Sequence, residues 1–416
     1  MNRNGEPGGR PLPAAGARAL FPGAARRPYL NVAVRSLLAT PVRAALDRYL
    51  EAAMEGGLDK AELFHRVERG RERFARWIGA GTDEVAWIRN VTDGLNLFLG
   101  SLDWRKGDEV VLCPDLEHPA NVLPWRNLAA TRGVRLVPVP AGPGREFPAE
   151  RMAEAVTPRT RVITAATVSF SPGFRCDLRP LAEAKAVHGA LLVLDAAQSV
   201  GVLRTNVQDM QADALSVATQ KGLAALYGTG FLYCRREVAE SLAPTFLGRF
   251  GVDLGDADET EVPPEDAALP YAAGARRFDL GNYNYPGVVA AEAALAMLAR
   301  FGARAIEARA VGLARRLASG LEELGLPVAG GAGADSAAGR SHIVAVGAPG
   351  GGTHRTTEDP AMNGLAARIR AAGVRFSIRR GILRFSFHMW NDRSDVDRVV
   401  EAARRWISEN AEAGGF

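Results

Sequence analysis

The sequence predicts an α/β protein: a large domain on a mostly parallel seven-stranded sheet between helices, then a smaller α+β domain at the C-terminus. Three observations point there. From about residue 86 to 234, seven short apolar runs alternate with helical patterns or turns. Runs such as ALLVLD at 190–195 are apolar throughout, as strands covered on both faces are. The chain has 416 residues, 47% hydrophobic and 24% charged, which is enough for two domains with their own cores.

In chain order, residues 1–27 are rich in Pro, Gly, Ala and Arg with weak periodicity, and read as a flexible arm. The large domain is expected over 28–300. Helical patterns at about 41–55 and 60–79 open it. AWIR (86–89), EVVLC (109–113), VRLVPV, RVITAATV (161–168), ALLVLD, ALSVAT (214–219) and TGFLYC (229–234) are the strands. DGLNLFLGSL, ANVLPWRNLAATR and LRPLAEAKAVHG are the helices between them. A Pro-, Asp- and Glu-rich stretch at about 251–274 reads as a surface loop or flap, and 286–325 as long helices. The small domain, 301–416, contains HIVAV (342–346), a Gly-rich loop (347–357), a helix at 360–372, strands VRFSI and ILRFSFH, and a helix at 394–411. The run GAPGGGTHRTTED lacks the GKS/T ending of a phosphate loop and is expected to be mobile. It and the acidic stretch are candidate lids.

Composition narrows the function. The net charge is +4 with both signs interleaved, so no nucleic-acid stripe is expected. No apolar run reaches the ~18 residues of a membrane span. The N-terminus lacks a continuous apolar segment, which predicts no signal peptide and a cytoplasmic protein. Three scattered cysteines and six scattered histidines show no zinc spacing, so neither a metal site nor a disulfide framework is expected.

Of 51 basic residues only four are lysines. Lysine can shed its proton and form an imine; arginine cannot. Lys60, Lys106 and Lys185 fall in surface-like contexts, whereas Lys221 follows a strand and precedes the apolar segment GLAALYGTGF. Asp195 closes the wholly apolar ALLVLD. Ligands of parallel sheets bind outside the carboxyl ends of the strands. A turn aspartate and a surface lysine would explain each residue alone. Together, an imine-forming lysine and a carboxylate for a pyridinium N–H are the pyridoxal phosphate arrangement. Thr92 opens a helix whose N–H groups suit a phosphate, or is an ordinary cap. His118 could stack on a flat ring, or cap a helix.

These segments resemble the class V aminotransferase group of fold-type I pyridoxal phosphate enzymes. That group includes cysteine desulfurases, isopenicillin N epimerase-like proteins and C–S lyases. The motifs are VTDGLNLFL, EHPANVLPW, TPRTRVITAATVS, LLVLDAAQSVG, SVATQK…YGTGF, LGNYNYPG and LRFSFHMWNDRSDVDRVV, spread over about 29–405. The resemblance implies pyridoxal 5′-phosphate as cofactor, with Lys221 as its covalent anchor and Asp195 on the pyridine nitrogen. It gives Gln198 to the phenolic oxygen and His118 to the ring face and proton shuttling. It gives Thr92, Asp93 and Gln220 to the phosphate. Asn282 would reach the phosphate of a neighbouring subunit, which implies a homodimer. Arg384 would take the α-carboxylate of a small amino-acid substrate, with Asn31 passing the substrate and Arg35 reading its side chain.

The departures are as informative. Desulfurases carry a persulfide-forming cysteine shortly before the carboxylate arginine, and residues 347–384 contain none. Phe170 stands where many relatives have asparagine; Gln220 replaces a common histidine and Asn282 a common threonine. This divergent branch is expected to cleave the C–S bond of an S-substituted cysteine by β-elimination, in a specialised pathway such as antibiotic biosynthesis. Alternatives are decarboxylation with oxidative deamination to an aldehyde, aminotransfer or epimerisation, and a catalytically idle cofactor-binding protein.

Overall fold

Seven strands form the central sheet of the computed structural model, which describes residues 14–255, 261–262, 264–265, 268–329 and 339–412. They are β1 (Val85–Ile88), β2 (Glu109–Leu112), β3 (Arg135–Pro138), β4 (Thr160–Ala166), β5 (Leu191–Asp195), β6 (Ala214–Ala218) and β7 (Gly230–Cys234). Their order is β1-β7-β6-β5-β4-β2-β3. Pairs from β3 through β6 are parallel, and β7 runs antiparallel to both β6 and β1. The central strands β6 and β7 are buried at every position, because helices cover both faces and leave no polar side to alternate with. Strand order reverses at β2, which has β3 on one side and β4 on the other; a crevice opens at such a switch point.

The helices obey local rules. In Lys60–Ile78 the Asp59 side chain accepts from the N–H groups of Ala61 and Glu62, and left-handed Gly79 ends the helix. Asn90 caps Val91–Gly100 in the same way. No single helix among the described residues is long and apolar enough to cross a membrane.

A second, antiparallel sheet has the order β8 (Ile343–Val346), β10 (Ile382–Ser386), β9 (Ser377–Arg379). Helices Ala303–Glu322, Pro360–Ala371 and Arg393–Glu412 accompany it. The expected strand VRFSI is regular only from Ser377. Before that, Arg375 bridges to Tyr29, and Asn31 bridges to Ser386. The N-terminal segment therefore occupies the pairing positions and carries Asn31 to the strand of Arg384.

The expected arm differs from the structure where it can be seen. Residues 1–13 lie outside the described residues. Ala14–Leu20 and Pro22–Arg26 are short helices, with Ala17 and Phe21 fully buried. Phe21 packs on Trp390 at 4.7 Å between ring centroids, and Arg18 pairs with Asp395 at 2.8 Å. The apolar residues Ala17, Phe21 and Ala24 anchor a segment whose Pro and Gly content alone suggests a linker. Part of the acidic stretch (256–260, 263, 266–267) also lies outside the described residues.

Candidate active site

Four strand ends and one strand of the small sheet converge. After β2 the chain reaches Glu117 and His118; after β4 it reaches Phe170. The two loops are tied by the Phe170 N–H donating to the Leu116 carbonyl at 2.8 Å. The His118 and Phe170 rings meet edge to face, centroids 4.8 Å apart. Asp195 ends β5, buried, with Oδ1 accepting the Ala197 N–H at 2.8 Å. Lys221 follows β6. Arg384, on β10, is buried and donates from Nη1 to the Phe170 carbonyl at 2.6 Å; its guanidinium lies 5.1 Å from the Phe170 ring.

The turn holding Lys221 is fixed from several sides. Thr219 Oγ1 donates to the Leu226 carbonyl at 2.6 Å, and the Gln220 carbonyl accepts the Ser36 N–H at 2.7 Å. His388 Nδ1 accepts from the Met389 N–H, which leaves the proton on Nε2, and Nε2 donates to the Gly222 carbonyl at 2.8 Å. Gly222 and Gly201 pack backbone to backbone, and a Cβ on Gly222 would fall on the Val200 carbonyl. Gly222→Ala is therefore expected to cost roughly 1–3 kcal/mol of stability by overpacking. Thermal melting checks this, and an unchanged melting temperature would contradict the contact.

The electrostatics follow from burial. Desolvation lowers Lys221 to about 8, with Arg384 and Arg379 adding to the effect and Asp195 opposing it. Burial raises Asp195, and Lys221 opposes the rise. Burial, then Lys221 and nearby arginines, lower His118 to about 4. The ring is thus neutral, and its Nδ1 accepts the Ala120 N–H at 3.1 Å, so the proton sits on Nε2.

The sequence did not single out Glu117 by itself. It is buried, and burial followed by the Asp195 charge raises its carboxyl to about 8. Its oxygens accept from Asn121 Nδ2 at 3.0 Å and from the Ala166 N–H at 2.6 Å. Ala166 is the register partner of Asp195, which explains why two acids meet here. In the sequence, His388 lies within LRFSFHMWNDRSDVDRVV with no role of its own, and no motif singles out Arg379 or Arg380. Twin arginines before a glycine, at a two-residue turn, were the available signal.

The donor set can be tested against pyridoxal phosphate. Gln198 Oε1, Gln220 Oε1, Asn31 Oδ1, Ser171 Oγ and Arg384 Nη2 are buried with no hydrogen-bond partner. Orphaned buried polar atoms cost about 1–3 kcal/mol each, so such a group of them marks a place that a polar ligand completes. Asp195 has one oxygen outside its hydrogen bond, and burial lowers the Lys221 amine to about 8. These residues fit the cofactor.

Five expected residues fare differently. The Asp93 carboxylate pairs with Arg89 at 2.8 Å and its N–H donates to Asn90, so it offers no donor to an anion. Thr92 is exposed. Gln198 already commits Nε2 to the Ala33 carbonyl at 3.1 Å, and the orphaned atom is its acceptor oxygen. The Arg35 side chain is exposed, although its neighbour Ser36 donates its N–H to the Gln220 carbonyl at 2.7 Å. Asn282 lines a cleft of about 290 Å³ with Asp93, Gly228 and Tyr283.

The aminotransferase class-V family profile matches residues 29–399. The chain belongs to that family. This class V enzyme is accordingly pyridoxal phosphate-dependent. It is 33% identical over 242 residues to a probable cysteine desulfurase of Methanothermobacter thermautotrophicus, a match covering 58% of each chain. It is 28% identical over 348 residues to a probable cysteine desulfurase of Pseudomonas putida, covering 80% of this chain and 81% of that one. In fold, the class V enzyme resembles the apo cysteine desulfurase of Thermococcus onnurineus (TM-score 0.81, 24% identity, 96% and 99% of the two chains covered). It also resembles the cystine C–S lyase C-DES (TM-score 0.79, 21% identity, 92% and 99% covered). These likenesses establish the fold-type I architecture.

Proposed function

We propose that this class V enzyme acts on an S-substituted cysteine and cleaves its C–S bond by β-elimination, giving a thiol, pyruvate and ammonia. The observation carrying this is the placement of the sulfur chemistry. All three cysteines are buried in the core, and burial pushes the thiols up, Cys113 to about 12. None is a ready thiolate to accept sulfur. Where desulfurases carry their cysteine loop, β9 and β10 are joined by the two-residue turn Arg380–Gly381. Sulfur would then leave bonded to its substituent. The fold likeness to a cystine C–S lyase supports the same chemistry.

When bound, pyridoxal phosphate supplies an electron sink for charge developing at the substrate Cα. Lys221 would anchor its carbonyl carbon, Asp195 its pyridine nitrogen, and Gln198 and His118 the ring. Thr92, Gln220 and the N–H groups opening Val91–Gly100 would hold its phosphate. Arg384 takes the α-carboxylate with the free Nη2, while Nη1 stays fixed on the Phe170 carbonyl. Lys221, whose amine burial lowers to about 8, takes the proton from Cα in its free-amine form. Neutral His118 and the Phe170 ring cover the pocket's switch-point side. Asn31, brought to β10 by its bridge to Ser386, would meet the substrate. Lys221 does not line the cleft that holds Asn282, which favours a homodimer in which Asn282 serves the partner's site; a monomer by light scattering would contradict this.

Product analysis tests the reaction. Mass spectrometry after incubation in air with a bulky S-conjugated cysteine should show pyruvate and free thiol. A two-carbon S-linked aldehyde with carbon dioxide would overturn elimination in favour of decarboxylation. Arg384→Gln should raise KM about 10- to 100-fold, from loss of a charge-assisted contact; an unchanged KM would remove Arg384 from carboxylate binding.

A further inference from the structure

The inner face of the small sheet carries a second cation to which the reading above gives no task. Arg384 on β10 is the register partner of Ser377 on β9, and its Nε lies 3.4 Å from Ser377 Oγ. Side chains two apart on a strand share a face, so Arg379 projects on the same side as Ser377 and Arg384. Such diagonal neighbours stand about 7–8 Å apart, the reach of one small molecule. The register is fixed by the tight turn, with Arg380 and Gly381 both at positive φ (49° and 78°), and Arg379 pairs with Ile382 at its base.

Arg379 is half-buried, and among the described residues its side chain donates from Nη1 to the neighbouring Ile378 carbonyl at 2.7 Å. Among the described residues no carboxylate forms an ion pair with it, unlike Arg18, Arg71, Arg175 or Arg368. Adjacent Arg380 is satisfied by the Asp115 and Glu117 carbonyls. The charged groups that Arg379 senses or shifts are Lys221, Arg384 and His118, all bases. Asp195 faces Lys221, and Glu117 is raised to about 8. A half-buried guanidinium among bases, with no acid paired to it among the described residues, is costly until an anion arrives.

Resting on the assignment of Arg384 to the α-carboxylate, we propose that Arg379 binds a second acidic group, carried on the sulfur substituent. The substrate class is then an S-(carboxyalkyl)cysteine or a similarly acidic conjugate, not a neutral S-alkylcysteine.

The test is a pair of near-isosteric ligands, S-carboxymethylcysteine and S-carbamidomethylcysteine, titrated into the cofactor-loaded enzyme. Binding is read from the change in cofactor absorbance, and pyruvate is measured in parallel. The acid should bind at least about tenfold more tightly than the amide, the range of a charge-assisted pair. Arg379→Gln should bring the two ligands within about twofold of each other, and Arg379→Lys should keep part of the preference. Neither variant should change retention of pyridoxal phosphate on dialysis. Equal binding of acid and amide by the wild type would overturn the proposal. So would loss of cofactor from Arg379→Gln, which would assign the guanidinium to the phosphate. A preference for the acid without pyruvate would support the second subsite and defeat C–S cleavage. Pyruvate from both ligands at equal affinity would do the reverse.

Discussion

Lys221→Ala is expected to abolish turnover, and borohydride should no longer fix the cofactor to the protein. Loss of acid–base work alone is worth roughly 10²–10⁴ in rate, and removal of the covalent anchor adds to it. Lys221→Arg should not rescue, because a guanidinium cannot shed its proton at working pH. The pocket prepares the amine: burial brings it to about 8, against the pull of Asp195. The sign follows. Below that value the ammonium dominates; above it the free amine does. Cofactor uptake by the cofactor-free chain should accelerate as pH rises to about 8 and level off beyond. A fully active Lys221→Ala protein would remove this residue, and the chemistry built on it, from the site.

Lys221 and Asp195 are legible in the sequence because a rule of α/β sheets places ligands where apolar strands end in polar residues. The strands themselves are legible because burial on both faces leaves unbroken apolar runs. What is decided by distant partners is not legible. Phe21 reads as part of a linker until Trp390, far along the chain, receives its ring. Asp93 looks free to serve a phosphate until Arg89 and Asn90 take its polar groups. Glu117 is a surface residue type in a quoted motif, and becomes a buried acid only through the register that sets Ala166 beside Asp195. Arg379 is one of many arginines; among the described residues no carboxylate pairs with it on the strand it shares with Ser377 beside Arg384, which no local pattern records.

The second large effect is on stability. Arg71→Met is expected to lower unfolding free energy by about 3–5 kcal/mol, because it strands a buried carboxylate. Arg71 is 0% exposed and its Nη2 meets Asp279 Oδ2 at 2.7 Å. Asp279 also accepts from Tyr283 Oη at 2.9 Å and, on Oδ1, from the Trp87 N–H at 2.8 Å. Arg71 Nη1 donates to the Val85 carbonyl at 2.6 Å. Val85 and Trp87 belong to β1, the strand at the sheet's edge, so the pair satisfies backbone groups that no further strand can reach. It also holds the end of the segment leading to Asn282 and Tyr283, which line the cleft proposed for a partner subunit. The two side chains act as a unit, so Arg71→Met with Asp279→Asn should cost less than the sum of the single changes. Denaturant titration of the three variants measures this coupling. Strict additivity would mean that the edge is held by packing and that the ion pair is incidental to it.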